Sequence, residues 1–116
     1  MYLELLDAET RNRGLSLESE GVNEVCWEKS DALRVVSVAS QAGLPILGGD
    51  VWRHESDGRW RPTGDNWFSE PHQAEHARAF AERALSEATA FLERYPDPGN
   101  GTRRYVIVFG KRSDSN

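Results

Sequence analysis

The sequence is poor in cysteine, in long apolar runs and in positive charge, and each shortage excludes a class of protein. A single cysteine, Cys26, cannot form an internal disulfide, which favours a reducing compartment and predicts a cytoplasmic protein. No apolar run reaches the length of a membrane span, and the acidic N-terminus does not have the pattern of a secretory signal. The net charge of −5 argues against nucleic-acid binding, which usually requires a basic face.

Residue combinations that carry catalysis or bind metals are also scarce. His72 and His76 are four residues apart on a predicted helix, a spacing that can hold a metal, but no third ligand accompanies them. Cys26 lies in an apolar strand, where a thiol is packed and inert, and no segment has the glycine spacing of a phosphate loop. We therefore expect no metal, no cofactor and no enzymatic activity, although Asp50 and Asp65 could meet in space as acid and base.

The acidic residues are concentrated in the first half of the chain. Residues 1–50 contain nine acidic and four basic residues, whereas residues 51–116 contain ten of each. The densest negative charge surrounds the first predicted strand, at Glu18, Glu20, Glu24, Glu28 and Asp31. This stretch is either an ordinary solvated face or an acidic docking surface, because complementary charge steers a basic partner toward its site.

What remains is the composition of a single globular domain, residues 1–116, with residues 110–116 as a frayed tail. The chain has 116 residues, of which 38% are hydrophobic and 28% charged. Periodicity predicts a helix over 2–9, a strand over 22–27, a helix that Ser30 caps and Gly43 ends, an extended run over 46–54, a hairpin arm over 59–61, a long amphipathic helix over 71–95 and a central strand over 105–109. We expect an α+β fold in which helices pack on one face of a small mixed sheet of about four strands.

The segment from Gly48 to Trp67 is the most unusual part of the sequence, with GGDVW, a turn and then GDNW. Its paired glycines indicate a bulge or a close approach of another backbone. In a structural interpretation, Asp50 and Asn66 hydrogen-bond to backbone groups that the bulge leaves free, while Trp52 and Trp67 pack. In a functional interpretation the segment forms a pocket or a partner-binding rim, because tryptophan is enriched in binding hot spots. Both interpretations remain open at this level.

Four strings in this order resemble one family. They are GVNEVCW, the DAL triplet at residues 31–33, GLPILGGDVW and DNWF. Together they are similar to the immunity proteins of bacterial polymorphic toxin systems, specifically family 40, over about residues 14–110. The succession of GGDV and DNW is the more specific part of the likeness. Trp52 and Phe68 stand where the family pattern has tyrosine, so an aromatic ring is kept and a hydroxyl is lost.

The resemblance implies a cytoplasmic antidote that binds and blocks one cognate toxin domain, delivered by a neighbouring cell or made by the same cell. It implies no catalytic residues, and it assigns no role to the matching motif positions Gly48, Gly49, Asp50, Asn66 and Trp67. One alternative is a small ligand-binding domain or enzyme that uses a pocket around Gly48–Trp67, and another is an interaction module with no link to a toxin. The candidate partner-binding residues are Glu18, Glu20, Glu24, Glu28, Asp50, Trp52, Asp65, Asn66 and Trp67.

Overall fold

The computed structural model describes residues 2–111, which form three α-helices and two small antiparallel sheets. The predicted α+β class is confirmed. The helices are α1 (Ala8–Arg13), α2 (Lys29–Gln41) and α3 (Ala77–Arg94). The strands are β1 (Leu15–Ser16), β2 (Val25–Cys26), β3 (Ile46–His54), β4 (Trp60–Phe68) and β5 (Arg103–Phe109). None of the helices in this part of the chain has the length and apolar character needed to cross a membrane.

The main sheet has the order β4-β3-β5, and β3 is antiparallel to both of its neighbours. The expectation of a mixed sheet is therefore wrong. A strand–helix–strand crossover was expected to bring the strand at 22–27 into the sheet of β3, but Trp27 makes only one antiparallel bridge, to Tyr105 at the outer edge of β5. The central strand is consequently β3 and not β5, and the predicted strand over 22–27 shortens to two residues that pair with β1.

The two faces of the main sheet are covered differently. On one face, α2 and α3 pack against Val51, Tyr105 and Ile107, as expected for helices on one side of a sheet. On the other face, Leu17 and Cys26 cover Trp52 and Val106. They belong to residues 14–26, which we call the arm and which comprise β1, a 3-10 turn and β2. The two residues of β2 thus pack into different clusters, Val25 half-buried on the helix side and Cys26 buried on the face that the arm covers.

Strand β4 extends further than predicted. Pro62, Gly64 and Asp65 were expected to end the hairpin arm, but the strand continues to Phe68. An edge strand tolerates proline because its outward N–H needs no partner. The register between β3 and β4 shifts at this point, Gly64 has a φ of 91°, and the Thr63 hydroxyl donates to the carbonyl of Val51 at 3.0 Å. The breaker residues therefore form a bulge within the strand and do not terminate it.

Helix α2 begins before the predicted cap. Its N-cap is Glu28, so Ser30 lies in the first turn. The helix ends at Gln41, and Gly43 follows with a φ of 89°, as expected for the residue that leads out of a helix. Asp31 is buried in the first turn, where its carboxylate accepts hydrogen bonds from Arg13 at 2.9 Å.

Helix α3 begins at Ala77, six residues later than predicted, because Ala74 adopts a φ of 66° and interrupts the helical backbone. His76 is the N-cap and His72 lies in the preceding turn, so the two histidines do not share a helix face. The predicted N-terminal helix is a 3-10 turn followed by α1, which Asp7 caps through Thr10. In the predicted tail, Gly110 donates its N–H to Pro45, and residues 112–116 lie outside the described part.

The paired glycines mark a close approach between strands, as predicted. A Cβ atom at Gly48 would lie 2.2 Å from the carbonyl oxygen of Trp67, and one at Gly49 would lie 2.3 Å from the Trp67 indole. The indole lies against Gly49 and stacks on Phe91 of α3, with 4.6 Å between the ring centroids. The missing side chains therefore let β4 pack closely on β3 and let Trp67 join the core.

We expect Gly48→Ala to lower the free energy of unfolding by about 3 kcal/mol, because the new methyl group meets backbone that cannot move away independently. Gly58→Ala is the matched control: its φ of 86° is also unfavourable for alanine, but nothing lies within 4 Å of the new methyl group. The free energy of unfolding of this control, measured by urea denaturation, should fall by only about 1 kcal/mol. Equal losses in the two variants would show that close packing at Gly48 is unimportant.

Candidate partner-binding site

The arm covers only part of the second sheet face. In the register of the sheet, Asn66, Asp50 and Val106 form one row across the strands, and Phe68, Gly48 and Val108 form the next. The arm covers Val106 but does not reach the second row. Phe68 is 71% exposed and Val108 is 41% exposed, and these are the exposed large apolar side chains among residues 2–111.

The uncovered rows form a cleft of about 450 Å³. Gly48 lies between Phe68 and Val108 in the register, and these two side chains border the cleft on either side of it. Asp50 and Asn66 lie in the next row. The residues that line the cleft are Leu47, Gly48, Gly49, Asp50, Asn66, Trp67, Phe68, Ser69, Glu70, Pro71 and Val108.

The segment that follows Phe68 is fixed to α3 by Arg83. Its guanidinium donates to the backbone carbonyl of Glu70 at 2.5 Å and to the carboxylates of Glu75 and Glu87 at 2.9 and 3.1 Å. These hydrogen bonds from Arg83 hold the pKa of Glu75 at about 2. The Ser69 hydroxyl donates to Glu87 as well. The wall of the cleft is therefore rigid, although it is a connecting segment.

The rim of the cleft carries negative charge that the described residues do not neutralise. Among residues 2–111, no basic side chain pairs with the carboxylates of Asp50, Glu70 or Glu24. Partial burial and the nearby charge of Asp50 raise the pKa of Glu24, which projects from the arm. The site thus combines an exposed apolar surface with carboxylates on one side.

The predicted residues of the GGDVW and DNW motifs are divided between the two faces. Asp50 and Asn66 border the cleft, and the Asn66 amide also donates to the backbone carbonyl of Gly64 in the bulge, as the structural interpretation expected. Trp52 is only 8% exposed beneath the arm, and Trp67 is among the residues that line the cleft, although its indole stacks on Phe91 on the helix side. Asp65 accepts a hydrogen bond from the Tyr95 hydroxyl at 2.6 Å, on the helix side of the sheet.

The acidic stretch is divided as well. Glu20 accepts hydrogen bonds from the Trp60 N–H and from Arg59, both at 2.9 Å, and these bonds lower its pKa. Glu28 pairs with Arg104 at 3.5 Å. Glu18 and Glu24 are exposed and line one shallow depression beside β2. Two of the four candidate glutamates therefore stabilise the fold, and the other two face solvent.

Sequence reasoning missed the apolar part of the cleft. Phe68, Val108, Leu47 and Pro71 were not among the candidates. Leu47 and Val108 lie in predicted strands, Phe68 follows the predicted hairpin arm and Pro71 begins the predicted helix. Alternation carried a usable signal: Phe68 must point away from Trp67, and Val108 must point away from Ile107. Alternation does not show which face of the sheet is left uncovered by other elements of the fold.

The cleft has groups that can bind but no evident catalytic set. Burial raises the pKa of the Cys26 thiol to about 11, so it is protonated at neutral pH. Within residues 2–111, no cluster of three or more His, Cys, Asp or Glu residues is arranged to hold a metal ion. The polar groups at the cleft, Asp50, Asn66 and Glu70, are suited to accept hydrogen bonds.

Fold and site together define a small α+β domain with one incompletely covered sheet face. A family model described as immunity protein 40 matches residues 16–109, which is most of the chain. The chain therefore belongs to the immunity protein 40 family, and the resemblance noted in its motifs is confirmed. Comparisons with curated proteins and with solved structures gave no significant match.

The contacts of Glu20 predict a specific pH dependence. A lowered carboxyl pKa stabilises the fold above its ordinary value of 4.5, and this contribution is lost as the pH falls through the lower folded value. Glu20→Gln should therefore lose stability at neutral pH and show a shallower decline below pH 4.5 in thermal unfolding. Glu18→Gln, whose carboxylate accepts no hydrogen bond from the described residues, should follow the parent curve. Identical acid profiles for Glu20→Gln and the parent would contradict the role of Glu20 in fixing the arm.

The weak side-chain contacts of Asp50 and Asn66 predict that neither side chain is needed for stability. The carboxylate of the half-buried Asp50 accepts no hydrogen bond within residues 2–111, and the side-chain amide of the exposed Asn66 donates only to Gly64, two residues away. Asp50→Ala and Asn66→Ala should each change the free energy of unfolding by no more than about 0.5 kcal/mol. The control Asp31→Ala, which removes a buried carboxylate bound to Arg13, should cost about 1–3 kcal/mol. Losses of that size at Asp50 or Asn66 would favour the structural interpretation of the motif.

Proposed function

We propose that this protein binds and neutralises a cognate toxin domain in the cytoplasm of the bacterial cell that makes it, and that the toxin docks on the cleft. Membership of the immunity protein 40 family supports the antidote role. The observation that carries the docking site is the exposure of Phe68 and Val108 on an otherwise covered sheet. Contiguous apolar surface rimmed by polar residues is typical of an interface.

Rigidity supports the same conclusion. Three strands form the floor of the cleft, and Arg83 fixes its wall, so a partner would pay little entropy to order it. A stable interface buries about 800 Å² on each partner, which is more than the cleft alone provides. The contact therefore extends to neighbouring surface, and the exposed Glu18 and Glu24 on the arm are the proposed extension. Trp52 lies on the same sheet face beneath the arm, and Trp67 packs on the helix side of the sheet.

Inhibition by binding requires no catalytic residues in the antidote. The alternative, a small-molecule site in the same cleft, is favoured by one observation: a volume of about 450 Å³ is within the range of ligand pockets. The two functions differ in what occupies the cleft. A protein partner should protect the whole apolar row from solvent, whereas a small ligand should bind without the toxin.

The test uses the C-terminal domain of a large secreted protein encoded beside this gene. Co-expression with the parent protein should restore growth of cells that produce this domain, and Phe68→Asp should abolish rescue and weaken binding at least about 100-fold in calorimetry. Ala90→Asp, which introduces the same charge on the exposed side of α3, should rescue growth like the parent.

The outcomes separate the parts of the proposal. If the parent protein neither binds nor protects, the antidote function is wrong for that toxin pair. If Phe68→Asp binds and protects like the parent while remaining folded, the antidote function stands but the toxin docks elsewhere. Saturable binding of a metabolite in the cleft, combined with no toxin binding, would favour the alternative.

A further inference from the structure

We infer that the cleft is a seat for one arginine side chain of the partner, with the aliphatic stem on Phe68 and Val108 and the guanidinium between Asp50 and Asn66. This inference rests on the proposed function for the source of the arginine, which is the docked toxin surface. The preference of the seat for arginine, however, depends only on the residues that line the cleft, and it can be tested without any toxin.

The polar groups around the cleft are acceptors. Asp50 and Glu70 present carboxylates, and the Asn66 amide nitrogen donates to Gly64 at 3.3 Å, which leaves the Asn66 carbonyl oxygen free to accept. The Ser69 hydroxyl is occupied with Glu87. Acceptors gathered in this way match a side chain with several donors, and a guanidinium has five in a planar fork.

The charge of the cleft selects a cation. Of the described residues that line it, two are acidic and none is basic. The guanidinium of Arg83 lies near Glu70, but its charge is already balanced by Glu75 and Glu87. Glu24 adds a further unpaired carboxylate on the side of Asp50. An anionic group would find no positive partner here, and a purely apolar side chain would leave the Asp50 carboxylate desolvated at a cost.

The shape of the cleft selects arginine over lysine. Phe68 is exposed at the wall, so its ring face can stack on a planar cation. Gly48 and Gly49 line the cleft through their backbone, and its volume of about 450 Å³ leaves room for an extended aliphatic stem. Lysine could place its stem in the same way, but its compact ammonium stacks less well and cannot bridge two acceptors in one plane.

The first experiment titrates the intact protein with three short peptides and follows backbone amide resonances by NMR. The probes are acetyl-Gly-Arg-Gly-amide and its lysine and citrulline counterparts, of which citrulline keeps the shape of arginine but lacks the charge. We expect saturable shifts at Gly48, Gly49 and Val108 with the arginine peptide in the millimolar range, and at least about fivefold weaker binding of the citrulline peptide. The lysine peptide should bind with intermediate affinity.

Variants of the protein test which side chains of the cleft bind the arginine peptide. Asp50→Asn should reduce the preference for arginine over citrulline, whereas Glu93→Gln, which removes one charge from the exposed side of α3, should not change it. Phe68→Leu should keep the charge preference but reduce the preference for arginine over lysine. Equal affinities for the arginine and citrulline peptides, or shifts confined to surface outside the cleft, would overturn the inference.

The second experiment measures association with the toxin domain at low and high salt. The double variant Asp50→Asn and Glu24→Gln should associate more slowly at low salt and show a flatter salt dependence than the parent. If the parent binds the toxin and this variant binds with the same rate and salt slope, the arginine seat is wrong and the proposed function stands. If the parent does not bind, the proposed function fails while the peptide titration still decides the seat.

Discussion

The close contact between β3 and β4 at Gly48 and Gly49 is the constraint on which the rest of the structure depends. Because neither residue has a side chain, the backbone of β4 and the Trp67 indole lie directly against the centre of the sheet. On one face this contact lets Trp67 stack on Phe91 and joins the hairpin to α3. On the other face, Gly48 lies in the row between Phe68 and Val108 that lines the cleft. One pair of glycines therefore supports both the core and the candidate site.

The uneven cover of the sheet explains how the same domain combines stability with an exposed apolar surface. Two long helices cover one face completely, whereas the arm covers only the end near Trp52 and Val106. Glu20 fixes the arm to the hairpin through Arg59 and the Trp60 backbone, so the arm is held at this end. The remaining apolar row is exposed because no other described element reaches it, and its strands hold it in place for a partner.

Local sequence patterns predicted the elements whose conformation depends mainly on residues that are close to one another in sequence. The bounds of β3 and the turn at Asp57–Gly58 follow from periodicity and turn chemistry, and the structure agrees with them. The apolar stripe predicted on the long helix is buried at Ala84, Ala88 and Leu92, whereas Ala74 and Ala77 at its start are exposed. Local sequence patterns failed to predict the backbone where contacts between residues distant in sequence determine its conformation. Pro62 and Gly64 are breakers in isolation, but β3 accommodates them in a bulge with Thr63 bound to Val51. The start of α3 moved to Ala77 because the Arg83 and Glu75 contacts stabilise a non-helical turn before it.

The sequence by itself determined the α+β class and the family, because the hydrophobic periodicity and the order of the GGDV and DNW motifs are local properties of the chain. It also identified Asp50 and Asn66 as candidates, but their pairing across β3 and β4 was not predicted, because the hairpin arm was expected to end before Pro62. Only the tertiary structure decided which acidic residues remain free, which tryptophans are buried, and that Phe68 and Val108 share a surface. Alternation along a strand divides side chains between two faces, but the cover of each face comes from segments distant in sequence. The position of β5 beside β3, which brings Val108 next to Gly48, is one such long-range pairing.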